Sequence, residues 1–103
     1  MAPPKLTPEQ RTAALAKAAE ARRTRAEIKE LLKTGSLTLA EVLERAESDD
    51  IVAGTKIASL LVAMPGMGKV KAKRLMEALA ISETRRIRGL GSRQRTDLLN
   101  HFS

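Results

Sequence analysis

Large apolar residues in this chain recur three and four positions apart. Ile57, Leu60, Leu61 and Met64 form one such set, and Val70, Leu75, Met76 and Leu79 form another. Ile28, Leu31 and Leu32 make a third, and Leu39, Val42, Leu43 and Ala46 a fourth. Each set falls on one face of a 3.6-residue helix, and no stretch sustains the period-two alternation of a half-buried strand. The pattern predicts an all-α fold: a long N-terminal helix followed by a compact domain of about five short helices.

Capping residues sharpen the boundaries. Thr7-Pro8-Glu9-Gln10 offers a hydroxyl cap, proline at the first helical position and Gln three residues after the cap. The helix it opens should run to about residue 33, with Gly35 as the terminating glycine. Residues 13–21 are alanine-rich with Leu15 as the only large apolar group, so this half should fray or stand away from the body. Thr38 and Glu41 form a capping box, with Leu37 against Val42 as a hydrophobic staple, and Ser48-Asp49-Asp50 should end that helix. Gly54-Thr55 introduces a helix over 56–63, and the next should span about 69–80. Ser82 is a good cap for a short turn through Arg86, and Ser92 for a last helix carrying Leu98, Leu99 and Phe102. The expected organisation is a basic helical arm over residues 1–35, with a disordered lead over residues 1–5, and a compact domain over 36–103.

Between the two best-patterned helices lies Met64-Pro65-Gly66-Met67-Gly68-Lys69-Val70-Lys71. Proline removes an N–H and glycine readily takes φ > 0, so the segment reads as a tight turn with Met67 as its apolar pin. The helix beyond opens with unpaired N–H groups, which make an anion site. Lys69, Lys71, Lys73 and Arg74 follow at once and favour a polyanion. An ordinary αα turn, with glycines that only solve a packing problem, is the plainer alternative. A nucleotide P-loop is excluded, because Val70 stands where Ser or Thr should follow Gly-Lys, and a helix rather than a strand precedes.

Charge then separates the partners. The formal net charge is +7; residues 69–103 hold nine Lys/Arg against three Asp/Glu, and residues 1–68 ten against nine. Arg85, Arg86, Arg88, Arg93 and Arg95 gather around a second glycine-spaced element, Ile87-Arg88-Gly89-Leu90-Gly91, where only Glu83 and Asp97 are close in sequence. Arg22, Arg23, Arg25 and Lys29 lie on the long helix, either as a solvated face balanced by Glu20, Glu27 and Glu30 or as an arm lying along DNA. Glu41, Glu44, Glu47, Asp49 and Asp50 make an acidic side that should face away from a polyanion, and they lack metal-loop spacing. There is no Cys, hence no disulfide or thiolate metal site, and no apolar run of transmembrane length or signal-peptide pattern. A soluble cytoplasmic protein is expected. Phe102 is the only aromatic residue, which argues against base stacking as the binding mode.

The stretch from Leu61 to Gly91, with Met-Pro-Gly-Met-Gly-Lys-Val-Lys-Ala, Ile81 and Thr84-Arg85-Arg86-Ile87-Arg88-Gly89-Leu90-Gly91, resembles the helix-two-turn-helix family. More narrowly, these residues and the long basic N-terminal helix are similar to the actinobacterial integration host factors. The resemblance implies a nucleoid-associated protein that binds duplex DNA with little sequence preference, bends or compacts it, and supports chromosome organisation and site-specific recombination. It points to Arg85, Arg86 and Arg88, and to the backbone of Gly66 to Lys69 with its lysines. The proteobacterial protein of the same name wedges proline from β-ribbon arms into the minor groove, and nothing in this chain can form such an arm.

The expected DNA-binding set is Pro65, Gly66, Met67, Gly68, Lys69, Val70, Lys71, Lys73, Arg74, Arg85, Arg86, Arg88, Gly89, Gly91 and Arg93, with arm contacts from Arg22, Arg23 and Arg25. Phosphates would be held by helix N-termini, turn amides and Lys/Arg, contacts that position without reading bases. One of Arg85, Arg86 or Arg88 is expected to enter the minor groove. RNA binding is the alternative, since a ribosomal protein of the same class carries a similar turn, but that protein has a long basic tail and this chain stops just past a helix. No enzyme is expected. The lysine nucleophile of related glycosylases would fall at Val70, their N-terminal proline would be Ala2, and the lone His101 reads as a surface or end-capping group. No cofactor, metal, membrane or small-molecule substrate is expected, and the protein should be a monomer in solution.

Overall fold

The computed structural model describes residues 6–102, so the expectation for residues 1–5 lies outside them. Helix α1 spans Pro8–Lys33 as one unbroken rod. The Thr7 hydroxyl accepts from the Gln10 amide at 3.1 Å, and the Gln10 side chain accepts from the Thr7 amide at 3.0 Å, completing a capping box. At the other end Thr34 is the C-cap, and Gly35 follows with φ +77°, the left-handed conformation that ends a helix cheaply only with glycine. Ile28 and Leu32 are buried in the core, whereas Leu31 points outward at 37% exposure, against the expectation that all three pack. Leu31 and Leu32 stand about 100° apart around the axis, too far for one narrow contact stripe. Residues 6–17 are all exposed, with Leu15 at 63%. The alanine-rich half is thus helical but buries almost nothing.

Helix α2 (Leu39–Arg45) starts at the Thr38–Glu41 capping box, and Leu37 and Val42 are both buried as a staple requires. The structure then departs from the expected reading. Asp49 does not end a helix; its Oδ1 accepts from the amides of Ile51 (2.9 Å) and Val52 (3.3 Å) and caps a new one, α3 (Asp50–Ala53). Four residues give no periodicity to read, but Val52 and Ala53 are buried and hold the turn in place.

Helices α4 (Ile57–Ala63) and α5 (Gly68–Ala78) pack against each other, and α1 lies across α4. Val42, Leu43, Leu60, Leu61 and Leu98 are completely buried at the centre. Removing such side chains from water contributes about 1.5–3 kcal/mol each. Helix α5 stops at Ala78, short of the expected residue 80, because Ala80 turns left-handed at φ +57° and carries Ile81 into the core. Residues 82–85 form a turn closed by the Arg85 amide on the Ser82 carbonyl at 2.9 Å.

The chain then runs antiparallel to the start of α4. The Ile57 amide donates to Arg85 O and the Ile87 amide to Thr55 O, both at 3.0 Å, forming a lone bridge between Lys56 and Arg86. A 3-10 turn at Ile87–Gly89 buries Ile87. Helix α6 (Ser92–His101) closes the fold. Its cap is Gly91 rather than Ser92: the Gln94 side chain accepts from the Gly91 amide at 3.0 Å, while its amide nitrogen reaches the Ala80 carbonyl at 2.8 Å. Ser92 is already the first helical residue, and the Thr96 hydroxyl donates to its carbonyl at 3.0 Å.

Candidate nucleic-acid interface

The first glycine turn joins α4 to α5. Gly66 and Gly68 have φ of +73° and +71°, and Met67 between them packs against the core. A Cβ built at either glycine would meet nothing within 4 Å. The glycines therefore serve the backbone conformation, and the space before them lies open to another molecule. No side chain among the described residues caps α5, so its first N–H groups face that space. Eleven residues of α5 add their dipole behind them. Pro65, Lys69, Val70, Lys71, Lys73 and Arg74 are exposed, and Lys71 Nζ donates back to the Gly66 carbonyl at 3.3 Å. The turn thus presents amide donors ringed by cations.

The second glycine-spaced element is arranged differently from the sequence expectation. Arg85 Nη1 donates to the Gly89 carbonyl at 2.7 Å, so this side chain braces the 3-10 turn. Arg86 and Arg88 swing away from Gly89 and Gly91 toward the C-terminal end of α3. Arg86 Nη1 donates to the Gly54 carbonyl and Arg88 Nη2 to the Asp50 carbonyl at 3.2 Å. Arg25 arrives there from α1, with its Nη2 3.5 Å from the Ile51 carbonyl. Asp50 O already accepts from the Gly54 amide at 3.0 Å and Ile51 O from the Thr55 hydroxyl at 3.1 Å, so Arg88 and Arg25 act as second donors to carbonyls that each carry two lone pairs. Gly54 is the reason they fit: a Cβ there would lie 3.0 Å from Arg88 Nη2 and 3.1 Å from Arg25 Nη2. The local sequence carries no signal for this convergence, since its members come from three separate elements.

Carboxylates do not neutralise this group. Among the described residues the ion pairs are Arg93–Asp97 at 4.0 Å and Arg95–Glu47 at 3.6 Å. Arg93 is 94% exposed and its pair contributes about 0–1 kcal/mol. Arg95 leans toward Glu47 in the turn after α2, so the acidic and basic sides meet there, which the sequence did not indicate. Arg22 and Arg23 are exposed on α1, whereas Arg25 is half-buried against the body. Gly89 and Gly91 are exposed.

Helix α4 separates the two positive zones. Lys56 and the arginine group stand at its N-terminal end, and Pro65 and the glycine turn at its C-terminal end. Seven residues put these ends about 10 Å apart along the axis. Lys56 joins the basic surface without having been expected as a site residue, and Lys29, grouped above with the arm arginines, is exposed beside it. His101 is exposed at the end of α6 and makes an edge-on contact with Phe102, with ring centroids 4.9 Å apart. No grouping of three or more His, Asp or Glu with metal-binding geometry occurs among the described residues.

Comparison with known proteins gives the same architecture. A family model for the S13-like H2TH domain matches residues 32–102. Over 102 residues the chain is 56% identical to the integration host factor of Mycobacterium tuberculosis, covering 99% of this chain and 97% of that protein. The integration host factor of Streptomyces coelicolor is 53% identical over 102 residues, covering 99% and 95%. The solved structure of sIHF bound to an 8bp palindromic DNA superposes with a TM-score of 0.83 at 48% identity, covering 85% of this chain and 99% of that one.

Proposed function

The chain belongs to the S13-like H2TH domain family, with integration host factors as near-full-length relatives, and we propose that it is a nucleoid-associated protein that binds duplex DNA and bends or compacts it. The observation that carries this reading is the pair of positive zones at the two ends of α4, neither neutralised by carboxylates among the described residues. Two anchors on one rigid body hold a duplex bent wherever their spacing does not match straight DNA. The donors involved are backbone amides, lysines and arginines, which contact phosphate and leave base sequence largely unread. Occupation of duplex DNA by the sIHF relative favours DNA over RNA as the partner.

The glycine turn from Pro65 to Val70, with Lys71, Lys73 and Arg74, forms one anchor in this reading. Arg86 and Arg88 form the other, with Arg85 bracing Gly89 in the adjoining turn, and Gly91 and the Asp97-paired Arg93 lie further along the chain at its edge. Residues 1–35 serve as a basic arm, with Arg22 and Arg23 free on its surface and Arg25 joined to the body over 36–103. The protein acts without catalysis and works in the nucleoid. Titrating labelled duplex, single-stranded DNA and a structured RNA against the protein at matched salt tests the assignment. Duplex should bind most tightly and show a bend by end-to-end energy transfer. Preference for RNA would overturn it.

A further inference from the structure

A cleft of about 230 Å³ opens between α1, the start of α4 and the segment before the 3-10 turn. Its lining is Arg25, Lys29, Thr55, Lys56, Ser59 and Arg86, four cations and two hydroxyl residues with no carboxylate. None of the four cations forms an ion pair among the described residues. Burying part of one guanidinium beside others without a counter-charge costs free energy, and the carbonyls of Ile51 and Gly54 that Arg25 and Arg86 reach offset only part of it. The Arg25 Nε is the clearest sign: it is buried and has no hydrogen-bond partner. A buried guanidinium N–H without an acceptor is costly, and it sits on a side chain that also lines the cleft. Thr55 spends its hydroxyl proton on the Ile51 carbonyl at 3.1 Å, so the remaining donors are the cations and Ser59.

We infer that this cleft is a seat for a phosphate group, separate from the glycine turn and made jointly by the arm helix and the body. A tetrahedral oxyanion offers several acceptor oxygens in a small volume, matching donors that converge from three sides. A carboxylate ligand would leave part of this donor set unused. The seat rests on the DNA-binding reading to the extent that its phosphate is a diester of the duplex; a free phosphorylated small molecule has the same chemistry. Either source ties α1 to α4 through a shared anion, so the arm would be fixed in direction when the seat is filled.

The test is two-dimensional nitrogen–proton NMR of the full chain, following the Arg25 Nε–H and the backbone amides of Gly66 and Gly68. Short duplex DNA and inorganic phosphate are titrated separately at constant ionic strength. Movement and slowed exchange of the Arg25 Nε–H with duplex is the expected result and identifies a DNA diester. Movement with inorganic phosphate, while duplex leaves every signal in place, keeps the seat but overturns the DNA reading. Duplex that moves the glycine-turn amides yet leaves Arg25 untouched with both ligands overturns the seat and keeps the DNA reading. As a second measure, Lys56→Glu and Lys29→Glu each give the cleft its own carboxylate on an exposed side chain. Each should leave the melting temperature unchanged, abolish the Arg25 response, and flatten the log K against log salt slope for duplex by about one unit. Wild-type slopes in both variants would count against the seat.

Discussion

The amide of Ile81 donates to the carbonyl of Met76 at 2.8 Å, and this bond closes α5 around a left-handed Ala80. With the Ala80 amide on Glu77 O at 3.2 Å, the pattern is a complete Schellman ending built on alanine where glycine is usual. A left-handed non-glycine residue costs about 1–2 kcal/mol. Ala80→Gly should therefore stabilise the fold by about 0.5–1 kcal/mol after the greater freedom of unfolded glycine is subtracted. Thermal denaturation should show a midpoint a few degrees higher, and a lower midpoint would refute this account of the helix end.

At Gly68 the expected effect is on binding. Asn and Asp both tolerate the left-handed region better than other residues do, so Gly68→Asn and Gly68→Asp carry similar backbone strain. Only Asp sets a charge before the free amides of α5. The two variants should melt within about 1 kcal/mol of each other, while duplex affinity of the Asp form falls at least about tenfold below the Asn form. Equal affinities would remove the glycine turn from the interface.

Gly54→Ala probes the other end of α4. Gly54 has φ −83°, so alanine is sterically acceptable to the backbone, yet its Cβ would crowd Arg25 and Arg88. We expect a melt lowered by no more than about 1 kcal/mol and duplex affinity reduced about three- to tenfold. In an Arg88→Ala background the same substitution should cost less, because one of the two displaced groups is already gone. Strict additivity in that double-mutant cycle would show that Gly54 does not act through Arg88.

If about five phosphates are neutralised, log K should fall with log salt at a slope of about −4 to −5. Affinity would then drop about 10²- to 10³-fold between 50 and 200 mM salt. Arg86→Ala and Arg88→Ala should each flatten the slope by about one unit on every duplex. Arg85→Ala should act differently, since Arg85 braces Gly89: its main effect should be a lower melting temperature. A triple variant with wild-type slope and a native melt would place the interface elsewhere.

Hydrogen exchange tests the arm. Residues 8–17 are helical and exposed, and α4 and α5 are packed, so amides 10–17 should exchange at least about a hundredfold faster than amides 60–76. Deleting residues 1–20 should leave a cooperative melt and weaken duplex binding. Equal protection in the two segments would mean that the arm is held by contacts other than core burial.

Local chemistry made much of this fold legible. Thr7–Gln10 and Thr38–Glu41 announced their helices because a capping box is complete within four residues, and Pro65 to Gly68 announced the turn for the same reason. Helix α3 was hidden because Asp49 looks alike whether it ends one helix or caps the next. The arginine positions were hidden for a different reason. Arg86 and Gly54 are 32 residues apart and Arg88 and Asp50 are 38 apart, and no pattern in a single chain specifies such distant pairs. Charge counting singled out these arginines, but the direction of their side chains came only with the fold.

The Lys56–Arg86 bridge also sets an order of events. It closes a loop of about thirty residues, and bringing such ends together is an entropic cost met before any contact returns it. A chain emerging from the ribosome can form α1, and even α4, long before residue 86 is available. The cleft beneath Arg25 is consequently absent from every chain that ends before residue 86. A partner that depends on this cleft would therefore leave alone nascent copies and copies cut short of that point.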